Sequence, residues 1–487
     1  MKNQLTRREL IKTAILGTGL CLGCGQTIFA QPPYRGRTRG RATDPIPRVL
    51  PIHPDNPAIR INLDRCRFCS RCVRFCRDEK TLFGQTVPTG EDPCIHCGQC
   101  TLFCPRVITE QFHYQEVSKA IADPDKIVIA SLAPSVRVAL GEMYGIAPGT
   151  NVEGKIVGAL KKLGVDYVLD VTFSADLTVM EEASELLMRL EKNSSESPLP
   201  MFTSCCPAWV RFIRLFYPAL LPNISTVKSP ILMQGALVKT YFAQKMGLDP
   251  AKIFKVALTP STAKKAEILL SGMNAAGIFH GNPKMRDVDV SLTSRELANL
   301  LNEGEVNFLQ TQDAPFDSLM GTGSGAAMIF GGTGGVMEAT LRTAYKLLND
   351  KNPPADFFNL APLRAFDSVR HASVNLGKRT LNVAVVHGTG HARPLLESIQ
   401  NGAQKFDFIE GMACSGGCIG GGGQPVNRNV DATTLRQLRR NALFQRDANE
   451  EIRLSIDNPQ IRAIYDDFLG KPLGEMSKQL LHTCQMQ

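Results

Sequence analysis

The sequence predicts an α/β protein with a small cysteine-rich module in front of a larger body. Three observations carry that prediction. Eight of the fifteen cysteines fall within 39 residues, from Cys66 to Cys104, at regular spacing. Behind them, apolar runs of strand length alternate with stretches of helical period. Two further cysteine pairs, Cys205-Cys206 and Cys414 with Cys418, sit on loops after such runs. At 487 residues the chain has length for about three domains. Its 43% hydrophobic and 21% charged residues exclude global disorder and a multi-span membrane protein. The net charge of +9 is concentrated at the front, with +3 in residues 1–30 and +4 in residues 31–48. The other 439 residues carry only +2, so no nucleic-acid partner is expected.

Residues 1–30 read as an address. Arg7 and Arg8 precede an uncharged run from 13 to 30 that is Gly-interrupted and short for a span of about 20 apolar residues. This resembles a twin-arginine export signal, which implies the twin-arginine translocase as a partner and a periplasmic destination. That route carries folded, cofactor-loaded proteins. Residues 31–55, rich in Pro, Gly and Arg, read as a linker.

Residues 56–115 form a ferredoxin-like module. The first group is Cys66-x2-Cys69-x2-Cys72-x3-Cys76. The second is Cys94-x2-Cys97-x2-Cys100-x3-Cys104, followed by Pro105. Three thiolates at three-residue spacing wrap one cubane, and the fourth ligates the other cluster. One 4Fe–4S cluster is therefore expected on Cys66, Cys69, Cys72 and Cys104, and the other on Cys94, Cys97, Cys100 and Cys76. A zinc ribbon needs only two pairs. Arg67, Arg71, Arg74 and Lys80 read equally well as a solvated face or as an offset to anionic clusters. Two such clusters make an electron wire, which needs a redox terminus in the rest of the chain.

In the body, 116–430, strands are expected at 126–133, 165–171, 255–258, 306–309 and 381–386. Helices are expected at 135–143, 177–190, 294–302 and 335–348. Adjacent cysteines diverge, so one of Cys205 and Cys206 can bind metal while the other stays a thiol. Cys414 and Cys418, among glycines, can both approach one cluster.

These loops carry a family resemblance. Thr203-Ser204-Cys205-Cys206-Pro207-Ala208-Trp209, the 410–425 loop with Met412, Cys414 and Cys418, and part of Thr259-Pro260-Ser261-Thr262-Ala263-Lys264-Lys265-Ala266-Glu267 resemble the three signature loops of the FeFe hydrogenases. Leu132-Ala133-Pro134-Ser135, Lys228-Ser229-Pro230 and 331–344 are also similar, and 431–487 resembles the small-subunit region of single-chain members. The resemblance implies a two-lobed α/β catalytic domain with a helical C-terminal segment. It implies an H-cluster, a 4Fe–4S cubane joined to a two-iron centre with CO, cyanide and a dithiolate, and hence maturation proteins as partners. Cys206, Cys414 and Cys418 would ligate the cubane, with Cys418 bridging to the two irons. Cys205 would be the proton-donating thiol. Lys264, and the region of Pro134 and Ser135, would contact the cyanides, Met412 would pack by the bridging CO, and Ser229 would lie at the cofactor. Protons would pass from Cys205 through Glu182, Ser225 and Glu185 to the surface. From the residues alone, Glu182 and Glu185 read as a wet acidic helix face, and Lys264 as a solvated lysine.

The second loop departs from the family: Ser261 stands where the family has Cys, and Thr259 where it has Met. Ser261 would be the fourth cubane ligand, a harder donor that lowers the cluster potential. The resemblance implies interconversion of H2 with protons and electrons, with an exported carrier such as a c-type cytochrome or a ferredoxin. A redox or H2 sensor of low activity, which Ser261 favours, and an iron–sulfur assembly protein are the alternatives.

Overall fold

The computed structural model describes residues 47–192 and 194–483. The expected export signal and most of the expected linker lie outside the described residues. Residues 47–55 do not behave as linker. Leu50 is buried in the core of the N-terminal module, beside Ile59, Val73 and Ile108, and the Ser70 amide donates to the Arg48 carbonyl at 3.1 Å. That module is closed by an antiparallel pair, β1 (Ile59–Ile61) and β2 (Ile108–Glu110). Its cysteines lie on the loops and short helices between those strands, among them Arg71–Arg74 and Gln99–Phe103.

Among the described residues, eight further strands form two four-stranded sheets. In chain order they are β3 (Ile127–Leu132), β4 (Tyr167–Asp170), β5 (Met201–Phe202), β6 (Ile253–Thr259), β7 (Val290–Thr293), β8 (Val369–Asn375), β9 (Thr380–His387) and β10 (Phe408–Met412). The first sheet, β4-β3-β6-β7, is all parallel. The second, β5-β10-β9-β8, is parallel except for its antiparallel edge strand β8. Two sheets make two lobes; the strands of the first are buried on both faces, as a parallel sheet requires, whereas the antiparallel edge strand β8 of the second alternates buried and exposed residues.

The helix α1 (Val171–Lys192) joins the lobes. It starts directly after β4, where the Asp170 carboxylate accepts from the Thr172 amide at 2.8 Å and caps it. Its first half packs Phe173 and Leu177 against Ile129 and Leu169 of the first lobe. Its second half packs Ala183 and Leu186 against Val383, Val385 and Phe408 of the second. A helix covered on all sides is an interior helix, and its polar residues are interior too. Helices α2 (Pro207–Phe216), α3 (Pro230–Leu237), α4 (Ala263–Glu267) and α5 (Gly335–Asn349) surround the same region. The C-terminal segment adds α6 (Ala432–Asn449) and α7 (Glu475–Leu481), the latter packed on α3. Among the described residues no helix is long and apolar enough to cross a membrane.

Two expectations fail locally. Residues 306–309 are not a strand: Val306 and Phe308 anchor a turn into the core just past the end of the preceding helix, with no strand edge beside them. The helix expected at 135–143 is broken into Pro134–Arg137 and a 3-10 turn, Leu140–Tyr144. Arg137 is responsible in part, because its guanidinium turns inward to Asp170 (2.7 Å), Glu153 and the Leu132 carbonyl.

Candidate active site and its electron path

The cysteines of the N-terminal module fall into two neighbourhoods. Burial raises the Cys104 thiol, and Cys72, Cys69 and Cys66 beside it add to the rise. Cys76 is pushed up to about 12 by burial and by Cys97 and Cys94. Each fourth cysteine thus stands with the other group's three. A cavity lined by Cys76, Cys94, Cys97 and Cys100, with Phe75, Ile95 and Leu82, opens at the second set. Four sulfur donors around an apolar space fit a 4Fe–4S cluster. Among the described residues no three such side chains close on a single metal ion. Amide donors support the sulfurs: the Phe68 N–H lies 3.3 Å from the Cys66 sulfur, and Asn56 Nδ2 3.5 Å from that of Cys94. Arg67, Arg71 and Arg74 are exposed, and so is Cys69. Lys80 is instead buried, and its charge acts on Cys76, Cys97 and Cys414.

The deeper site is built at the carboxyl ends of parallel strands, where open α/β sheets bind their ligands. Pro134 and Ser135 follow β3, Cys205 and Cys206 follow β5, Ser261 and Lys264 follow β6, and Cys414 and Cys418 follow β10. Cys206 sits at the N-terminal boundary of α2, whose first residue is Pro207, and makes no side-chain capping bond. Burial raises its thiol, while amides of Ala413, Trp209 and Ala208 and the charge of Lys264 pull it back. Burial raises Cys414 and Cys418, and each also feels Cys206. Three sulfurs therefore share one neighbourhood. The Gly421 and Gly422 positions admit no side chain there: a Cβ on Gly421 would lie 2.4 Å from the Pro260 carbonyl, and one on Gly422 2.3 Å from that of Cys97. The Gly423 amide donates to Pro260 O at 2.8 Å, which ties the Ser261 loop to the Cys418 loop. The two positions expected to depart from the resemblance are bonded to each other: Thr259 Oγ1 donates to the Ser261 carbonyl at 3.2 Å and accepts from its amide at 3.4 Å.

Around Cys205 and Cys206 packs an apolar shell of Ala175, Val179, Ala326, Phe330 and Met412. Lys264, expected from its residues alone to be solvated, is buried. Its Nζ donates to the Cys205 carbonyl at 3.0 Å and pairs with Glu267 at 2.9 Å. Ser229 is buried with an unpartnered hydroxyl, and the Ser135 carbonyl accepts from Gln424 at 2.9 Å. Thiols and a buried cation beside an apolar shell fit a bulky iron–sulfur group with polar ligands, and Ser229, just before α3, adds a buried hydroxyl without a partner.

The module and this site are in contact. Gln99 Nε2 donates to Gly420 O at 2.7 Å, Thr101 Oγ1 to Gly422 O at 2.9 Å, and Thr262 Oγ1 to His96 O at 2.7 Å. Cys97 feels the charge of Cys206, and Cys414 that of Cys97. The cysteines of the module and of the deeper site are electrostatic neighbours.

Glu182 and Glu185 are not a wet face. Both are buried. Burial, then the charges of Glu185 and Glu410, push the Glu182 carboxyl up to about 8, against hydrogen bonds from the Ser204 amide and Thr340. Burial and Glu182 raise the Cys205 thiol. Glu185 Oε2 accepts from Ser225 Oγ at 2.7 Å, and Oε1 from Arg189 Nη2 at 2.6 Å. Glu185 does not open to the surface as expected, because the buried Arg189 closes that side. Arg189 is visible in the sequence as an i,i+4 partner of Glu185. Glu410, which the sequence marked only as a loop residue, holds the amides of Gly334 (2.6 Å) and Met337 (2.8 Å).

Residues 126–422 match the family "Iron only hydrogenase large subunit, C-terminal domain". The chain belongs to the FeFe hydrogenase family. Residues 433–484 match the "Iron hydrogenase small subunit" and 58–105 the "4Fe-4S dicluster domain". The chain is 43% identical to the NADP-reducing hydrogenase subunit HndD of Solidesulfovibrio fructosivorans over 87% of its own length and 73% of the relative's. It is 42% identical to the periplasmic [Fe] hydrogenase large subunit of Nitratidesulfovibrio vulgaris, over 78% and 90%. A variant of apo [FeFe]-hydrogenase HydA1 from Chlamydomonas reinhardtii superposes with a TM-score of 0.66 at 38% identity, over 75% of this chain and 98% of that one. Cytosolic iron-sulfur assembly component 3 of Bos taurus is more distant, at 30% identity over 80% and 82%. The dicluster match and the FeFe-hydrogenase domain give this chain two 4Fe–4S clusters and the H-cluster as its cofactors.

Proposed function

We propose that this FeFe hydrogenase interconverts H2 with two protons and two electrons, and that it does so outside the cytoplasm. The observation that supports this most is the pairing of a buried thiol, Cys205, with a buried carboxyl, Glu182, whose proton affinity lies near neutrality. When bound at Cys206, Cys414, Cys418 and Ser261, the H-cluster would supply the irons at which H2 is made or split. The chain's residues do the rest. Cys205 holds a proton at its sulfur and exchanges it with Glu182, and Ser225 and Glu185 extend the path. Lys264 presents a buried cation, Ser229 and Ser135 polar groups, and Met412 and Phe330 keep water away.

Electrons would travel by the inner cluster, on Cys76, Cys94, Cys97 and Cys100, to the outer one, on Cys66, Cys69, Cys72 and Cys104. They would leave near the exposed Cys69 to an exported carrier such as a c-type cytochrome or a ferredoxin, docked on the face of Arg67, Arg71 and Arg74. The paired arginines Arg7 and Arg8 support passage through the twin-arginine translocase, and the periplasmic relative is consistent with that destination. H-cluster maturation proteins are required partners.

A redox or H2 sensor of low activity is the second reading, and a serine, Ser261, in place of the family's cysteine favours it. The likeness to an assembly component gives the third less support, because the thiol–carboxyl relay serves turnover. The test is iron content and H2-dependent dye reduction after full maturation. The proposal expects roughly 14 Fe per chain and turnover; protein holding only about eight Fe, without turnover, overturns it.

A further inference from the structure

The relay stops short of solvent. Glu185 Oε1 is taken by Arg189 Nε (3.0 Å) and Nη2 (2.6 Å), and Arg189 is itself buried, with its other N–H groups on carbonyl oxygens of Pro198, Pro222, Asn223 and Ile224. A guanidinium does not release protons in proteins, so this side fixes Glu185 without exchanging with it. On the other side, Glu185 Oε2 lies 2.7 Å from Ser225 Oγ and 3.2 Å from Thr226 Oγ1. The same Thr226 oxygen lies 2.7 Å from His482 Nδ1. His482 Nε2 lies 3.0 Å from Glu181 Oε2. Glu181 is buried and also accepts from Tyr465 (2.5 Å), the Leu473 amide (2.8 Å) and Ser477. Backbone bonds clamp the two segments together: Lys228 N to Leu481 O at 2.8 Å, and Thr483 N to Thr226 O at 2.9 Å.

A threonine hydroxyl has one proton to donate. It cannot point at Glu185 and at His482 together. Glu181 accepts at Nε2, so a neutral His482 keeps its proton there and leaves Nδ1 bare. The Thr226 hydroxyl then donates to Nδ1, and Glu185 lacks that donor. When Nδ1 takes up a proton it donates to Thr226 Oγ1, and the hydroxyl turns to Glu185. No Thr226 bond breaks; one proton is gained at Nδ1 and one hydrogen bond changes partner. A donor to the carboxylate favours its charged form.

We propose that His482 is a positioning residue that turns the Thr226 hydroxyl with its own protonation, and so sets how tightly the Glu185 end of the relay holds a proton. The proposal rests on the relay described under the proposed function. It gives the C-terminal segment a part in proton transfer. The charged and titratable groups around the pair are Glu181, Glu182, Glu185 and Arg189 from α1, Tyr465 before α7, the exposed Lys478 on α7, and Lys228, which is held by Asp287 at 3.2 Å.

The test is an infrared pH titration of the full chain with its iron–sulfur clusters. The Glu185 carboxylate band is assigned by difference against Glu185→Gln and the imidazole bands against His482→Phe. The Glu185 band is expected to shift in step with His482. In Thr226→Val that step disappears while His482 still titrates, and in Thr226→Ser it returns. In matured protein, Thr226→Val and His482→Phe each remove one inflection from the pH profile of H2 turnover. A Glu185 band that ignores His482, or that moves equally in Thr226→Val, overturns the proposal. Infrared coupling without any H2 turnover in the matured parent leaves the switch standing and removes the hydrogenase reading.

Discussion

The outer and deeper cysteine neighbourhoods do opposite things with water. The outer one, Cys66, Cys69, Cys72 and Cys104, lies on a short stretch of chain, with Cys69 and three arginines exposed. The deeper one draws Cys206, Ser261, Cys414 and Cys418 from three loops more than 200 residues apart at the extremes, under Phe330 and Met412. An electron can tunnel to a partner from an edge that water wets. A proton has to be taken along a chosen path, so its site is covered and left with one thiol and one carboxyl. On the proposed function, the module is a connector and the strand-end loops are the reactor, joined where Cys97 meets Cys206 and Cys414.

The largest expected effect separates the two. Cys205→Ala should lower H2 turnover by about 10²–10⁴-fold while iron content, and reduction of the module's clusters by dithionite, stay unchanged. Loss of iron in this variant would mean that Cys205 is a ligand and the assignment of Cys206 is wrong. The converse variant, Cys104→Ala, should remove about four Fe and slow electron delivery to a protein carrier. Exchange of H2 with solvent deuterons, which needs only the deeper site, should persist.

Ser261 sharpens the comparison within the deeper site. Ser261→Cys should raise the cubane potential and hold the cluster more firmly, and Ser261→Ala should loosen it, both leaving the eight thiolates of the module untouched. Redox titration followed by electron paramagnetic resonance reads both. No change in either variant would show that Ser261 is not a ligand.

The smallest effect is on stability. Glu182 holds its proton up to about pH 8 when folded, against an ordinary value of 4.5. The folded state therefore binds a proton that the unfolded chain loses between those values. The contribution is complete below pH 4.5 and drains away as pH rises to about 8. Glu182→Gln should flatten that part of the dependence of the melting temperature on pH. Parallel curves would place the raised affinity elsewhere.

How much of this was legible depends on the range of the contacts. The two-cluster spacing is local, so Cys66 to Cys104 could be paired off from sequence, including which fourth cysteine stands with which three. The strand ends bearing Cys205, Lys264 and Cys414 were reachable through motif resemblance. Burial was not: Glu182, Glu185 and Lys264 are charged residues at helical spacing and read as solvated until α1 is seen between two sheets. The short strands β5 and β7, two and four residues long, give too little alternation to register. Contacts such as Thr226 with His482, 256 residues apart, leave no local pattern at all.

On this account the deeper loops hold a two-iron centre bearing CO and cyanide. Infrared spectroscopy of the matured protein tests it most directly. CO and cyanide bands should be present in the parent and absent from Cys418→Ala, which should keep the clusters of the module. Parent protein without those bands, after maturation that loads a related hydrogenase in parallel, or Cys418→Ala protein that retains them, would contradict it.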